Sequence, residues 1–395
     1  MTDWISTPIE STILRGVLEL ERTARGVLPR RLPARARRQF PNSSLSMVET
    51  QPTGVRLAFR TRATAIELDV LTTRVTWLGA PAPLNSGYDL RLNGSPAGQD
   101  ESGAGNLLII DTRTGAGTTE PGPMGTVRFA GLPAVAKDVE IWLPHTETVE
   151  LIALRTDAPI EPIDIGDRKV WLHHGSSISH GANADYPTGT WPALAATLGQ
   201  VELVNLSLRG NALLDPFVAR SIRDTPADLI SVKIGINLAN TDLMRLRGFG
   251  PAVHGFLDTI RDGHPGTPLL VVSPILCPIQ EDAPGPITPD LSGGRLRFRA
   301  PDPPAEPDPE RLTLNIIREE LAAIIALRAI DDPDLHYLDG RELYGAADFA
   351  ELPLPDALHP DTAGHRRIAE NFARTAFSAD GPFGVHTCRQ VATTA

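Results

Sequence analysis

The sequence predicts a chain of two units, an antiparallel β-sandwich followed by an α/β unit in which helices cover both faces of a parallel sheet. Three observations predict it. Between residues 55 and 155, short runs alternate apolar and polar residues with no helical pattern between them. Beyond residue 165, short apolar strands alternate with helical patterns. Between the two rhythms lies an acidic, proline-bearing connector, Asp157-Ala-Pro-Ile-Glu-Pro-Ile-Asp164. The expected domains are therefore 1–165, a leader plus a sandwich of jelly-roll or carbohydrate-binding type, and 166–395, a three-layer α/β/α unit.

A length of 395 residues suits two domains, and 41% hydrophobic with 22% charged residues is ordinary globular composition. The net charge of -11 argues against a general nucleic-acid or membrane-surface binder, because neither anionic partner would be attracted. Cys277 and Cys388 are the only cysteines, too few for a disulfide framework or a cysteine metal site. The start, Met-Thr-Asp-Trp-Ile-Ser-Thr-Pro, has no basic n-region or apolar h-region, so a cytoplasmic location is expected.

Residues 1–40 read as a polar leader with a short helix over Ser11–Leu20, limited by Pro29, Pro33 and Pro41. Its arginines, from Arg15 to Arg38, suit a solvated helix face or a salt-bridged interface. Strands follow at 55–60, 65–71, 88–92, 107–111, 126–129, 139–143 and 149–155, divided by turns such as Leu92-Asn-Gly and Pro121-Gly-Pro. Trp77, Tyr88 and Trp142 are either core or the lining of a ligand groove. In the α/β unit the expected strands are 170–173, 201–206, 229–234, 269–272 and 335–338. Helices are expected over 191–198, 216–223, 252–261 and 310–328, the last capped by Asp308 ahead of Pro309. Residues 278–307 carry six prolines from Pro284 to Pro304 and Gly293-Gly294, without periodicity. A loop so long beside a strand end could cover a site as a lid.

In open parallel sheets, chemistry collects where strands end. The first strand of the α/β unit ends in His173-His174-Gly175-Ser176-Ser177, a serine-bearing strand-to-helix turn. A serine hydroxyl is a weak nucleophile until a base takes its proton. Asp356-Ala-Leu-His359 precedes the final helix and supplies a histidine with a carboxylate three residues away. Asn205-Leu-Ser-Leu-Arg-Gly210 and Gly235-Ile-Asn237 follow two more strands. Each residue also has a plainer reading: Ser177 as a helix cap, Gly210 in a left-handed turn, Asn237 bonded to its own loop, Asp356 and His359 solvated. His173, His174 and His180 lack cysteine or Glu-x-x-His company, so no metal is expected; of the first two, one is expected to pack inside and the other to help shape the site.

In these four segments the chain resembles the SGNH or GDSL hydrolases, over residues 168–378. Gly175-Ser176-Ser177-Ile178-Ser179 matches the first block, Gly-Asp-Ser-x-Ser/Thr, and makes Ser177 the nucleophile. Gly210, Gly235 with Asn237, and Asp356 with His359 match later blocks. The resemblance implies a flavodoxin-like SGNH domain, a catalytic set of Ser177, Asp356 and His359, and an oxyanion hole from the Ser177 and Gly210 N–H groups and the Asn237 amide. Ser176 stands where the family has aspartate and Leu238 where it has a second acid, which leaves loop conformation and pH optimum open. The architecture is similar to a two-domain actinomycete group of this family that includes an acyltransferase moving an aromatic acyl group from coenzyme A to a tetracycline hydroxyl. The expected function is acyl transfer through acyl-Ser177 to a small-molecule or polyketide hydroxyl, with plain ester hydrolysis as the alternative and a non-catalytic ligand-binding protein as the third reading. No cofactor is expected, with acyl-CoA as a conceivable co-substrate. The expected partners are a small ester or acyl-thioester donor and a hydroxyl acceptor, not nucleic acid or membrane.

Overall fold

The computed structural model describes residues 3–79, 87–111, 113–290, 296–302 and 308–384. Gly293, Gly294, Pro303, Pro304 and Cys388 lie outside the described residues.

Toward the amino terminus, a pair of sheets encloses one apolar core. The 13-residue strand Ala65–Trp77 is the spine of the larger and pairs antiparallel with Gly125–Ala130 and Thr148–Thr156. The smaller contains Arg56–Thr61, Lys137–Trp142, Tyr88–Leu92 and Ser95–Asp100. The period of two along each strand sends Ile66, Leu68 and Val70 from one sheet and Leu57, Phe59, Val139 and Ile141 from the other into the same core. One pairing departs from the antiparallel expectation: residues 73–77 and 106–110 run parallel. Parallel neighbours need a crossover, and the chain makes one by forming the Tyr88–Asp100 hairpin in the opposite sheet before it returns. Of the three aromatic residues that a groove would need, Tyr88 and Trp142 are buried and Trp77 is exposed, so they do not line a common surface.

The leader is not helical where expected. Ser11–Ile13 is a single 3-10 turn, followed by strands Leu14–Arg15 and Glu19–Arg22. Gly16, at a φ of 76°, turns the chain between them. A helix of that length is marginal alone, and sheet pairing outweighs it. Helices come later, at Ala34–Gln39 and Ser43–Glu49. The arginine cluster is a salt-bridged interface: Arg30 meets Glu21 and Glu49, and Arg37 meets Glu19 and Glu21. Arg31 is wholly buried and donates to the Gln51 carbonyl and, across to the α/β unit, to the Ser207 carbonyl at 2.6 Å. Leu32, Ala36, Leu45 and Trp142 also pack into the α/β core.

In the α/β unit Val170–His174, Glu202–Asn205, Leu229–Lys233, Leu269–Val272 and Leu335–Leu338 form a parallel sheet. Their spatial order is second, first, third, fourth, fifth. Trp191–Gly199 packs on Thr362–Ala376, while Pro216–Arg223 packs on Leu246–Arg261, which meets Leu314–Arg328. Two helix starts differ from expectation. Leu246–Arg261 begins before Pro251 because burial of Phe249 extends its apolar face. Leu314–Arg328 is capped by Thr313, whose hydroxyl accepts from the Ile316 N–H at 3.3 Å, whereas Asp308 accepts from Glu310 and pairs with Arg245. Among the described residues no helix is long and apolar enough to cross a membrane.

The strand order reverses at Val170–His174, since the second strand lies on one side of it and the third on the other. The crevice outside the carboxyl ends at such a point is where this architecture can hold a ligand.

Candidate active site

Val170–His174 delivers Ser177 to that crevice. Ser176 caps the short helix Ser177–His180, its hydroxyl accepting from the Ile178 N–H. The capping role falls to Ser176 rather than to Ser177, and the Ser177 hydroxyl is left to point elsewhere. It donates to His359 Nε2 at 2.8 Å. The other ring nitrogen, Nδ1, donates to Asp356 Oδ2 at 2.7 Å. With its proton on Nδ1, the imidazole offers a free lone pair to Ser177, the tautomer a general base needs.

Asp356 reaches two ways at once. Its Oδ1 accepts the Leu358 and His359 N–H groups at 2.9 and 2.7 Å, and its Oδ2 takes the ring. Ala357 at a φ of 69° lets the chain fold back to do this, a conformation that costs an alanine on the order of 1 kcal/mol. Two residues that carry no sequence motif hold the turn: Asn183 donates to Asp356 Oδ2 at 3.1 Å, and the buried Cys277 thiol lies 3.6 Å from the Ala357 carbonyl. Burial pushes that thiol up to about 12, so it is not a competing thiolate. Burial alone would raise the Asp356 carboxyl, but the hydrogen bond and charge of His359 and the two N–H groups bring it down to about 2. Burial holds His359 below the ordinary histidine value, against the opposing pull of Asp356.

The three expected oxyanion donors each follow the end of a strand of the parallel sheet. Gly210 has a φ of 69° with open space where a side chain would stand. Gly235, at a φ of 118°, has no room for one, because a Cβ would lie 2.5 Å from Ile317 Cγ2. It starts the helix Ile236–Thr241 that carries Asn237. The Ala212 N–H donates to Asn237 Oδ1 at 3.2 Å, which fixes the amide with its NH2 turned away. Among the described residues neither the Ser177 N–H, the Gly210 N–H nor that NH2 donates to a protein group. Leu238 is buried in apolar core, which explains why no acid serves there.

Both members of the histidine pair are buried, and neither hydrogen-bonds Ser177, Asp356 or His359 among the described residues. His173 Nδ1 bonds Ser231 Oγ at 2.7 Å and the ring lies against Trp191; His174 Nδ1 donates to the Leu206 carbonyl at 2.9 Å. His180 donates to the His145 carbonyl at 2.7 Å. The proline-rich segment does reach the site. Thr288–Asp290 and Arg297–Arg299 form a small hairpin. The Phe298 N–H donates to the Asp356 carbonyl at 2.8 Å, and the Phe298 ring meets the His359 ring edge-on at 5.5 Å. The sequence marks the segment as unusual, but Phe298 itself carries no motif.

Comparison with known proteins places this geometry. Residues 174–367 match the family described as GDSL-like Lipase/Acylhydrolase. Among solved structures the chain is similar to the salicylyl-acyltransferase SsfX3 from a tetracycline biosynthetic pathway, at 28% identity and a TM-score of 0.74, covering 94% of this chain and 96% of that one. It is similar in fold to a putative GDSL-like lipase from Bacteroides ovatus, at 18% identity and a TM-score of 0.64 over 94% and 96%. The acetyl xylan esterase Est2A from Butyrivibrio proteoclasticus shares the fold at 11% identity and a TM-score of 0.53 over 94% and 97%. No curated protein matches the chain in sequence.

Proposed function

Residues 174–367 are a GDSL/SGNH lipase-acylhydrolase domain, and from that premise we propose that the protein is a serine acyl-transfer enzyme working through an acyl-Ser177 intermediate. The observation that carries this reading is the unbroken chain from Ser177 Oγ to His359 to Asp356, at 2.8 and 2.7 Å.

His359 takes the Ser177 proton as the oxygen attacks the acyl carbonyl of an ester or thioester. The negative charge that develops on the carbonyl oxygen is met by the Ser177 and Gly210 N–H groups and the Asn237 amide, each such donor being worth roughly 3–4 kcal/mol. His359 then protonates the departing alcohol or thiol, and the acyl group remains on Ser177. A hydroxyl gives its proton to His359, attacks the acyl-enzyme and leaves with the acyl group. With a small-molecule alcohol as acceptor the reaction is transfer; with water it is hydrolysis. Phe298 over His359 favours transfer, because an apolar cover beside the base disfavours water there, and the likeness to SsfX3 supports the same preference.

Product partitioning tests this. An aryl ester or acyl-CoA is supplied with rising concentrations of candidate alcohols. Transfer predicts acylated alcohol at the expense of free acid, and Phe298→Ala should shift the balance toward acid. Free acid alone at every alcohol concentration overturns the transferase preference in favour of an esterase.

A further inference from the structure

Arg209 is an unspent cation at the edge of the candidate site. It directly precedes Gly210 on the loop that presents an oxyanion donor, and its side chain reaches solvent. Desolvation by neighbouring groups lowers its pKa from the ordinary arginine value. Two buried arginines elsewhere in the chain are tied down: Arg31 by backbone carbonyls, and Arg318 by Glu281 at 2.7 Å and by the Pro274 and Ile275 carbonyls. Among the described residues the Arg209 guanidinium has no hydrogen bond and no ion pair. It is nevertheless close enough to Asp356 and His359 for the charges to act on one another.

That position is a liability for the bare chemistry. His359 must become positively charged as it takes the Ser177 proton, and a neighbouring cation opposes that. A cation kept there has a use only if something negative arrives with the substrate. The planar guanidinium fork suits a carboxylate or phosphate held by two parallel hydrogen bonds. His359 also meets the Phe298 ring edge-on, so its surroundings offer one cationic and one aromatic contact.

Resting on the acyl-serine reading above, we propose that Arg209 is a specificity residue that binds an oxyanion, carboxylate or phosphate, on the substrate of this site. The bound anion also offsets the charge that Arg209 exerts on His359. Substrate binding and the basicity of the catalytic imidazole are thereby linked.

The test compares two matched substrate pairs in wild type, Arg209→Lys and Arg209→Gln. One pair places the charge on the acyl group: the p-nitrophenyl monoester of glutaric acid against p-nitrophenyl pentanoate. The other places it on the leaving group: acetyl-CoA against S-acetylpantetheine. In wild type, the charged member of at least one pair should lead in kcat/KM by roughly 10- to 100-fold, chiefly through KM, the range of a charged hydrogen bond. Which pair responds identifies carboxylate or phosphate. Arg209→Gln should bring that ratio close to one, with Arg209→Lys between. In Arg209→Gln the acid limb of the neutral substrate's pH profile should also move to higher pH, because His359 loses a neighbouring cation. Equal or greater reactivity of both neutral members in wild type, or a ratio unchanged in Arg209→Gln, overturns the inference. Turnover of the neutral members by wild type reports on the acyl-serine reading separately, so its absence marks failure at that earlier step.

Discussion

The two ends of the parallel sheet hold charged groups in opposite states. At the amino-terminal end, beside Lys169 and Val201, lies a cleft of 830 Å³ lined by Arg56, Arg91, Glu140 and Trp142. Its charges are spent on one another. Arg56 pairs with Glu202, approaches Glu140 at 3.5 Å and lies 4.6 Å over the Trp142 ring. Arg91 lies over the same ring and donates to Thr197 at 2.8 Å. At the carboxyl end, by contrast, Ser177, Gly210, Asn237 and Arg209 each keep a donor that, among the described residues, no protein group takes. The proposed chemistry therefore rests on unspent donors rather than on the presence of a cleft. That cleft reads as a seam that joins the sandwich to the α/β unit.

Substitutions at the two ends should separate. The largest effect is expected from Ser177→Ala, which should cut kcat by about 10⁴- to 10⁶-fold with little change in melting temperature. Asp356→Asn comes next, at about 10³- to 10⁴-fold, because the ring loses the partner that fixes its tautomer. Asp356 is also what holds the His359 pKa up against burial. Its loss should therefore move the acid limb of the pH–rate profile, already below the ordinary histidine value in wild type, to still lower pH. At the opposite end Arg56→Met should leave Glu202 buried without its main partner and cost about 3–5 kcal/mol of stability, read by denaturant unfolding, while kcat per folded molecule is kept. If Arg56→Met instead abolishes turnover in folded protein, the seam belongs to the site and the contrast fails. Asn237→Ala should cost about 10²- to 10³-fold in kcat, with KM little changed, as expected of a donor used mainly in the transition state.

What the sequence could disclose follows the same division. A serine turn at a strand end and the Asp356–His359 pair were legible from the chemistry they suit, whereas the choice of Ser177 over Ser176 and the oxyanion roles of Gly210 and Asn237 came from the resemblance to the GDSL blocks. Asp356 and His359 are neighbours in sequence, so their contact needed no tertiary knowledge. Asn183 and Phe298 support the same turn but are ordinary residues whose meaning comes only from the fold that brings them to it. Arg31 read as one of a cluster suited to a solvated helix face or a salt-bridged interface, and its partner carbonyl at Ser207 is 176 residues away. The Ser11–Leu20 helix failed for a related reason: local propensity favoured it, but Gly16 and strand partners far along the chain decided otherwise. Asp308 lost the cap of the long helix to Thr313, although both are good capping residues and Pro309 follows the former.

The central claim is that the turn after Val170–His174 carries an activated serine, and that it is Ser177. Intact-protein mass spectrometry after treatment with a fluorophosphonate probe tests it most directly. The geometry predicts one adduct per chain, retained in Ser176→Ala and lost in Ser177→Ala. An unlabelled wild-type protein, or an adduct that survives in Ser177→Ala, would contradict it.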